Sequence, residues 1–169
     1  MAVVNIIVAD RNLDEGTFTV DFKVTETPLD DGRATAAYFT GFYLQSLVNT
    51  PEFTAGVEGF GRQLVSGMQE DGLREQTKVA ATMTLTLTDK ELSTGRYTVG
   101  LASSGGDESG EMLPTTAQIV GGYMRALLNK SEFRDACWAF AEEFAANHKA
   151  GKTPASIPNN DDGAATIAA

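Results

Sequence analysis

The chain has 169 residues and a formal net charge of −10 at neutral pH, from 23 acidic and 13 basic side chains. This length is about that of one domain, and a hydrophobic content of 42% is typical of a folded protein. The basic residues are few and scattered, which argues against a face that neutralises nucleic-acid phosphates. We therefore expect no direct nucleic-acid binding and an acidic surface that serves solubility.

Cysteine usage and hydropathy limit the class of protein further. The single cysteine, Cys137, excludes an internal disulfide framework, and its apolar helical surroundings predict a buried thiol rather than a nucleophile. No apolar run approaches the ~18 residues of a membrane span, and the first apolar run is too short for a signal peptide. We therefore expect a protein without a membrane segment, not secreted by a signal peptide, that works in the cytoplasm or in a virion.

The first half of the chain predicts two strands and then two helices. Val3–Ala9 is a short apolar run, and Thr17–Val24 alternates apolar with polar residues, which is typical of a half-buried β-hairpin. A helix is predicted from about Ala34 to Val48, apolar on most sides. A second helix follows Pro51, a residue that suits a first helical position.

The second half repeats this order. Met83, Leu85 and Leu87 alternate with threonines, and a second alternating run follows Gly95. Helices are predicted from about Thr115 to Leu128 and from about Ser131 to Asn147. Residues 149–169 are rich in Gly, Pro, Ala, Asn and Asp, and we expect a flexible C-terminal tail there.

One motif occurs in both halves, eighty positions apart, at the junction between the two helices. The matched pairs are Gly41/Gly121, Tyr43/Tyr123, Leu47/Leu127, Asn49/Asn129, Glu52/Glu132 and Phe53/Phe133. We interpret it as structural: the glycines would let the two duplicated helices approach each other. Each Asn would cap the following helix in a capping box with the Glu three residues later, and each Phe would anchor that helix. Before Pro51 either Asn49 or Thr50 can be the cap.

The predicted fold class is α+β. We expect tandem duplicated strand-strand-helix-helix units, residues 3–66 and 82–147, related by a pseudo-two-fold axis within one domain of residues 1–148. Their four strands would form a mainly antiparallel sheet packed on the helices. The alternative arrangement is two hairpins in separate sheets that flank a central four-helix core.

Candidate contact residues lie at the expected axis and in two loops. Tyr43 and Tyr123 are predicted core residues with a secondary role as ligand or partner contacts at the pseudo-dyad. Acidic loops at matching places give candidate partner contacts, and a weaker case for a divalent cation. Their residues are Asp30, Asp31, Asp107 and Glu108. Known catalytic and phosphate-binding motifs do not occur in the chain, so we predict no catalytic residue, no resident metal and no cofactor.

These features favour a non-enzymatic assembly or interaction protein, either a homo-oligomer or part of a larger assembly. A small, acidic chain rich in Thr, Gly and Ala and poor in Lys, Cys and His is typical of bacteriophage virion and accessory proteins. One alternative is an acidic inhibitor or sequestering protein that acts on a basic partner or holds a small ligand in the pseudo-dyad cleft. Another is an enzyme that uses the loop carboxylates with a metal.

Overall fold

The structure is a computed structural model of the chain. It describes residues 2–25, 35–69, 72, 74–91, 95–107, 109, 111–149 and 165–167. The four long strands are β1 (Val3–Asn12), β2 (Thr17–Val24), β3 (Ala81–Glu91) and β4 (Arg96–Gly105). The helices are α1 (Ala36–Val48), α2 (Pro51–Gln69), α3 (Thr116–Leu128) and α4 (Ser131–Lys149), and a short strand, β5 (Ala165–Ile167), follows.

All five strands belong to one antiparallel sheet with the order β4-β3-β1-β2-β5. The two central strands, β1 and β3, pair so that Ile6 lies opposite Leu85. The α+β class and the four-stranded antiparallel sheet with four helices are therefore confirmed. The alternative with two separate sheets is wrong, because the pairing of β1 with β3 joins the two hairpins into one sheet.

Alternation along the strands places one face of the sheet in the core. Val4, Ile6 and Val8 of β1 are buried, as are Met83, Leu85 and Leu87 of β3. Each hairpin turn contains a glycine at positive φ, Gly16 at 63° and Gly95 at 62°, a conformation that a side chain disfavours.

Helices α1 and α3 lie directly on this face of the sheet. A Cβ atom at Gly41 would lie 2.7 Å from Cγ1 of Val4, and one at Gly121 would lie 2.7 Å from Cβ of Met83. The prediction that these glycines let the two helices approach each other is wrong. They let each helix approach the sheet, because a strand side chain occupies the space where their own side chain would be.

The inner helices, α1 and α3, lie on the sheet, and the outer helices, α2 and α4, pack on them. Each outer helix contacts the inner helix of the other half of the chain. The rings of Phe42 and Phe140 join α1 to α4 at 5.4 Å, and those of Phe53 and Tyr123 join α2 to α3 at 5.4 Å. Phe53 and Phe133 are both buried, as the sequence predicts. Each outer helix thus completes the core by packing on the inner helix from the other half of the chain.

The helix junctions differ from the predicted capping boxes. Asn49 is the C-cap of α1, and the hydroxyl of Thr50 accepts the N–H of Phe53 at 3.2 Å. Asn129 is likewise the C-cap of α3. The prediction that these asparagines cap the following helices is wrong, because each of them ends the preceding helix. In the first half, Pro51 at the first helical position makes residue 50 the N-cap.

The tail contributes one element within the described residues. Residues 165–167 pair with β2, whereas residues 150–164 and 168–169 lie outside the described part of the chain. The sequence predicts no strand here because the segment has little apolar surface. Pairing at a sheet edge uses backbone groups, so it does not need such surface.

Candidate functional site

Two carboxylates, Asp89 buried and Asp10 partly buried, connect the sheet to helices α1 and α3. Asp10 of β1 accepts the N–H of Ala117 in α3 and the N–H of Ala81, both at 2.8 Å. Asp89 of β3 accepts the N–H of Ala37 in α1 at 3.0 Å and the N–H of Ala2 at 2.7 Å. Each carboxylate therefore binds the N-terminus of a helix from the other half of the chain, where the helix dipole favours negative charge.

These two aspartates have structural roles that the sequence analysis missed. A signal was available, because Asp10 continues the inward register of Ile6 and Val8. A carboxylate at an inward position needs strong hydrogen bonds, and a helix N-terminus provides them. Both oxygens of each aspartate are engaged, so we assign them no chemistry beyond this.

The two predicted tyrosines pack against rings of the outer helices. Tyr43 lies 5.3 Å from Phe133 and 5.3 Å from Phe140. Tyr123 lies 5.4 Å from Phe53 and 5.9 Å from Phe60. The two tyrosines are thus placed between helices, and no ring contact among the described residues joins them to each other. Their observed contacts support the core role.

Among the predicted loop acids, only Asp107 falls in the described part of the chain. Its carboxylate accepts the hydroxyl of Ser109 at 2.6 Å, the N–H of Ser109 at 3.0 Å and the N–H of Met112 at 2.7 Å. These hydrogen bonds, that of the Ser109 hydroxyl first, lower the pKa of Asp107 from 3.8 to about 2. Asp107 therefore organises its own loop. Asp30, Asp31 and Glu108 lie outside the described residues.

A small polar cluster lies between α1, β4 and α4. The thiol of Cys137 donates to the hydroxyl of Thr40 at 3.7 Å, and both residues are buried. Burial raises the pKa of the Cys137 thiol and that of the nearby Tyr97 hydroxyl. A raised pKa keeps the thiol protonated at neutral pH, which is the opposite of what a nucleophilic cysteine needs.

Within the described ranges, no group of three or more His, Cys, Asp or Glu side chains could hold a metal ion. No helix among the described residues is long and apolar enough to cross a membrane.

Among the described residues no helix packs on the second face of the sheet, and we call this face the open face. Threonines dominate it: the outward positions of β3 are Thr82, Thr84, Thr86 and Thr88. On β1 it is formed by Val3, Asn5, Ile7 and Ala9, and on β4 by Thr98, Gly100, Ala102 and Ser104. The β1 and β3 residues are half-buried, because neighbouring strands shield them and none of the described helices covers them.

Twelve positions of the open face, on β1, β3 and β4, include no charged residue, although the chain has a net charge of −10. Charged residues lie beside them: Asp21 and Lys23 on β2, next to β1, and Lys90 and Arg96 at one end. Between the two middle long strands the hydroxyl of Thr86 donates to Oδ1 of Asn5 at 2.9 Å. Over β1, β3 and β4 the open face is thus a hydroxyl-rich, neutral surface.

Sequence reasoning identified the polar side of the strands but not the surface that these polar residues form together. The alternation at Met83–Leu87 assigns the threonines to a wet face. Their assembly with β1 residues into one neutral surface depends on the pairing of β1 with β3, two strands far apart in the sequence.

Comparison of the chain with models of protein families, with curated proteins and with solved structures finds no match. The geometry of the chain itself is therefore the basis for its proposed function.

Proposed function

We propose that this chain is a non-enzymatic interaction protein that assembles with further copies of itself through the open face of its sheet. The observation that carries the proposal is the neutral, hydroxyl-rich surface of β1, β3 and β4, left uncovered by the four helices. A bacteriophage virion or accessory structure, in which one small protein is used many times, is the setting that we propose from its composition.

Charge supports a second copy as the occupant. Two molecules that each carry a net charge of −10 repel each other, and the repulsion is least where they present neutral surfaces. Threonine methyl groups can pack against an identical surface, and the hydroxyl groups can exchange hydrogen bonds across it. Sheets stack face to face at about 10 Å, a spacing that short side chains such as Thr, Ala and Val allow.

We further propose that the chain arose from two copies of one strand-strand-helix-helix unit related by a pseudo-two-fold axis. The pairing of β1 with β3 supports this: Val4 lies opposite Leu87 and Val8 opposite Met83, so a shift of 79 positions exchanges the two pairs. The corresponding hydrogen bonds of Asp10 and Asp89 support it as well.

The aromatic ring contacts between helices of opposite halves also support the duplication. Tyr43 packs on Phe133 and Phe140, and Tyr123 packs on the equivalent Phe53 and Phe60. In a duplicated protein, each repeat would complete the helical layer of the other. Such reciprocal packing would explain why the two units stay joined in one chain.

The area of the open face is smaller than that of a stable interface. From the usual strand and residue spacings, three strands with four outward positions each cover about 400 Å². A stable interface buries about 800 Å² on each partner. The open face therefore fits a contact within a larger assembly, in which each copy also makes a second contact.

The test is a pair of charged substitutions on the open face. We expect T84E together with T98E to dissociate the assembly, because packing would remove the new carboxylates from water without a partner. Light scattering should show the unmodified protein as multiples of 18.0 kDa and the variant as a single copy. Circular dichroism should be the same for both.

A matched control carries the same charge change elsewhere. Q63E together with S66E adds two carboxylates to the exposed side of α2 and should leave the assembly intact. T84K with T98K should also dissociate it, since a buried charge of either sign is costly. Equal assembly of all four proteins would overturn the open face as the contact surface.

The second candidate function is an acidic inhibitor or sequestering protein. The observation in its favour is Trp138 on α4, 67% exposed, with Asp135 and Glu142 one turn away on either side. An exposed Trp among carboxylates suits a basic partner. Salt separates the two functions: it would release such a partner, whereas it would strengthen contacts between like-charged copies.

A further inference from the structure

The outer edge of β2 is a docking site for a strand. The four long strands alone would leave this edge with free N–H and C=O groups, which accept any strand of suitable register. In the structure the edge pairs with residues 165–167 of the C-terminal segment, with Phe18 opposite Ile167 and Val20 opposite Ala165. The edge and a strand that fits it are therefore encoded in the same chain.

The pairing does not depend on which chain donates the strand. β2 is the one element with which β5 makes extensive contact among the described residues. Fifteen residues, 150–164, connect the end of α4 to β5, and an extended chain of that length spans up to about 50 Å. A segment of this length can reach the β2 edge of its own molecule or that of a neighbour.

We propose that, in the assembled protein, the C-terminal strand of one copy occupies the β2 edge of another. This inference rests on the proposed function, because the open face would hold the two copies close together. Within such an assembly the effective concentration of the neighbouring edge is high, and exchange preserves every backbone hydrogen bond. The exchanged strand supplies the second contact, which is needed because the open face alone is smaller than a stable interface.

The pattern of strand exchange determines how many copies an assembly contains. Two copies that exchange strands reciprocally form a closed dimer. One-way donation leaves a free edge at one end and a free strand at the other, so copies continue to add. A chain that both donates and accepts is thus able to form rings or filaments.

The test uses single-cysteine full-length chains. In a C137S background, one chain carries T19C and the other, labelled with ¹⁵N, carries T166C. Thr19 and Thr166 are directly opposite in the observed register, so their Cβ atoms come within about 5 Å, close to the range that a disulfide needs. Serine keeps a donor toward Thr40, so the background variant should fold.

We expect mild oxidation of the mixture to join labelled to unlabelled chains through a 19–166 disulfide, found by mass spectrometry of the peptides. A T17C chain is the control: it lies two residues out of register and should give at least tenfold less of the mixed disulfide. A triple variant, T19C/T166C/C137S, should form disulfides between chains at concentrations where light scattering shows multimers.

Intrachain disulfides alone in the triple variant, with no mixed disulfide in the two-chain experiment, would overturn the exchange. If light scattering still shows multimers in that case, the proposed function stands. Only the proposal that the C-terminal strand comes from another copy is then wrong. A single-copy mass at every concentration would instead overturn the proposed function itself.

Discussion

Asp89 shows how one residue can hold distant parts of this chain together. It is 2% exposed, and its two oxygens accept backbone N–H groups from the segment before β1 and from α1. These groups belong to residues 87 and 52 positions away in the sequence. A carboxylate in this place therefore stabilises the arrangement of the two halves and not a local turn.

We predict that D89A destabilises the protein by about 3 kcal/mol, because it leaves two backbone N–H groups without their charged acceptor. D89N keeps one acceptor oxygen and should lose less. Urea denaturation followed by circular dichroism measures both. D135A, at an exposed position of α4, is the control and should change stability by less than about 0.5 kcal/mol. Equal stability of D89A and D135A would contradict this role.

The loop around Asp107 should respond to pH in a defined window. Because the pKa of Asp107 is lowered to about 2, its contribution to loop order is present above the ordinary value of 3.8 and is lost as pH falls through about 2. A carboxyl ¹³C titration by NMR should give a pKa near 2 for Asp107. In S109A, which removes the largest cause, the pKa should rise toward 3.8. An ordinary pKa in the unmodified chain would contradict the observed hydrogen bonds.

Sequence reasoning at this scale succeeded for local contacts and failed for distant ones. Burial of Cys137 and the packing of Phe53 follow from helical periodicity. Of the two candidate caps before Pro51, Thr50 has the role, which follows from Pro51 at the first helical position. The partners of Asp10 and Asp89 could not, because strand pairing brings them together across the whole chain.

At the scale of elements, the inner helices are fixed by their fit to the strands. Gly121 faces Cβ of Met83, an atom next to the backbone that cannot move away as the end of a long side chain can. Gly59 in α2, in contrast, has no atom within 4 Å of the position that a Cβ would occupy. The two glycines have the same helical context and opposite surroundings.

We therefore predict opposite effects of the same substitution. G121A should destabilise the protein by about 1–2 kcal/mol, because overpacking costs more than the gain in helix propensity. G59A should stabilise it by up to about 1 kcal/mol, since only the propensity changes. Thermal denaturation of the two variants measures the difference. Stabilisation by G121A would contradict the close approach of α3 to the sheet.

Element boundaries and the antiparallel sheet were largely predictable, but the packing partners of the helices were not. The strand predictions at Val3–Ala9 and Thr17–Val24 and the helix prediction at Thr115–Leu128 all correspond to observed elements. The placement of α4 on α1 and of α2 on α3 was not predicted, because sequence periodicity shows which side of a helix is apolar but not which neighbour covers it. The β5 strand was missed for a related reason, since edge pairing involves the backbone.

At the scale of the whole molecule, helices cover one face of the sheet, and the other face is the contact surface that we propose. The neutral part of the open face, on β1, β3 and β4, contrasts with the net charge of −10. Because like-charged copies repel, we predict that the mass of the assembly increases as NaCl is raised from about 50 to 500 mM. A decrease would indicate an oppositely charged partner and favour the sequestering function.

The most direct test of this account is the molar mass of the unmodified full chain, measured by multi-angle light scattering over a hundredfold range of concentration. The account predicts a mass that rises to multiples of 18.0 kDa and returns to one copy in the T84E/T98E variant. A constant mass of 18.0 kDa for the unmodified chain at every concentration would contradict it.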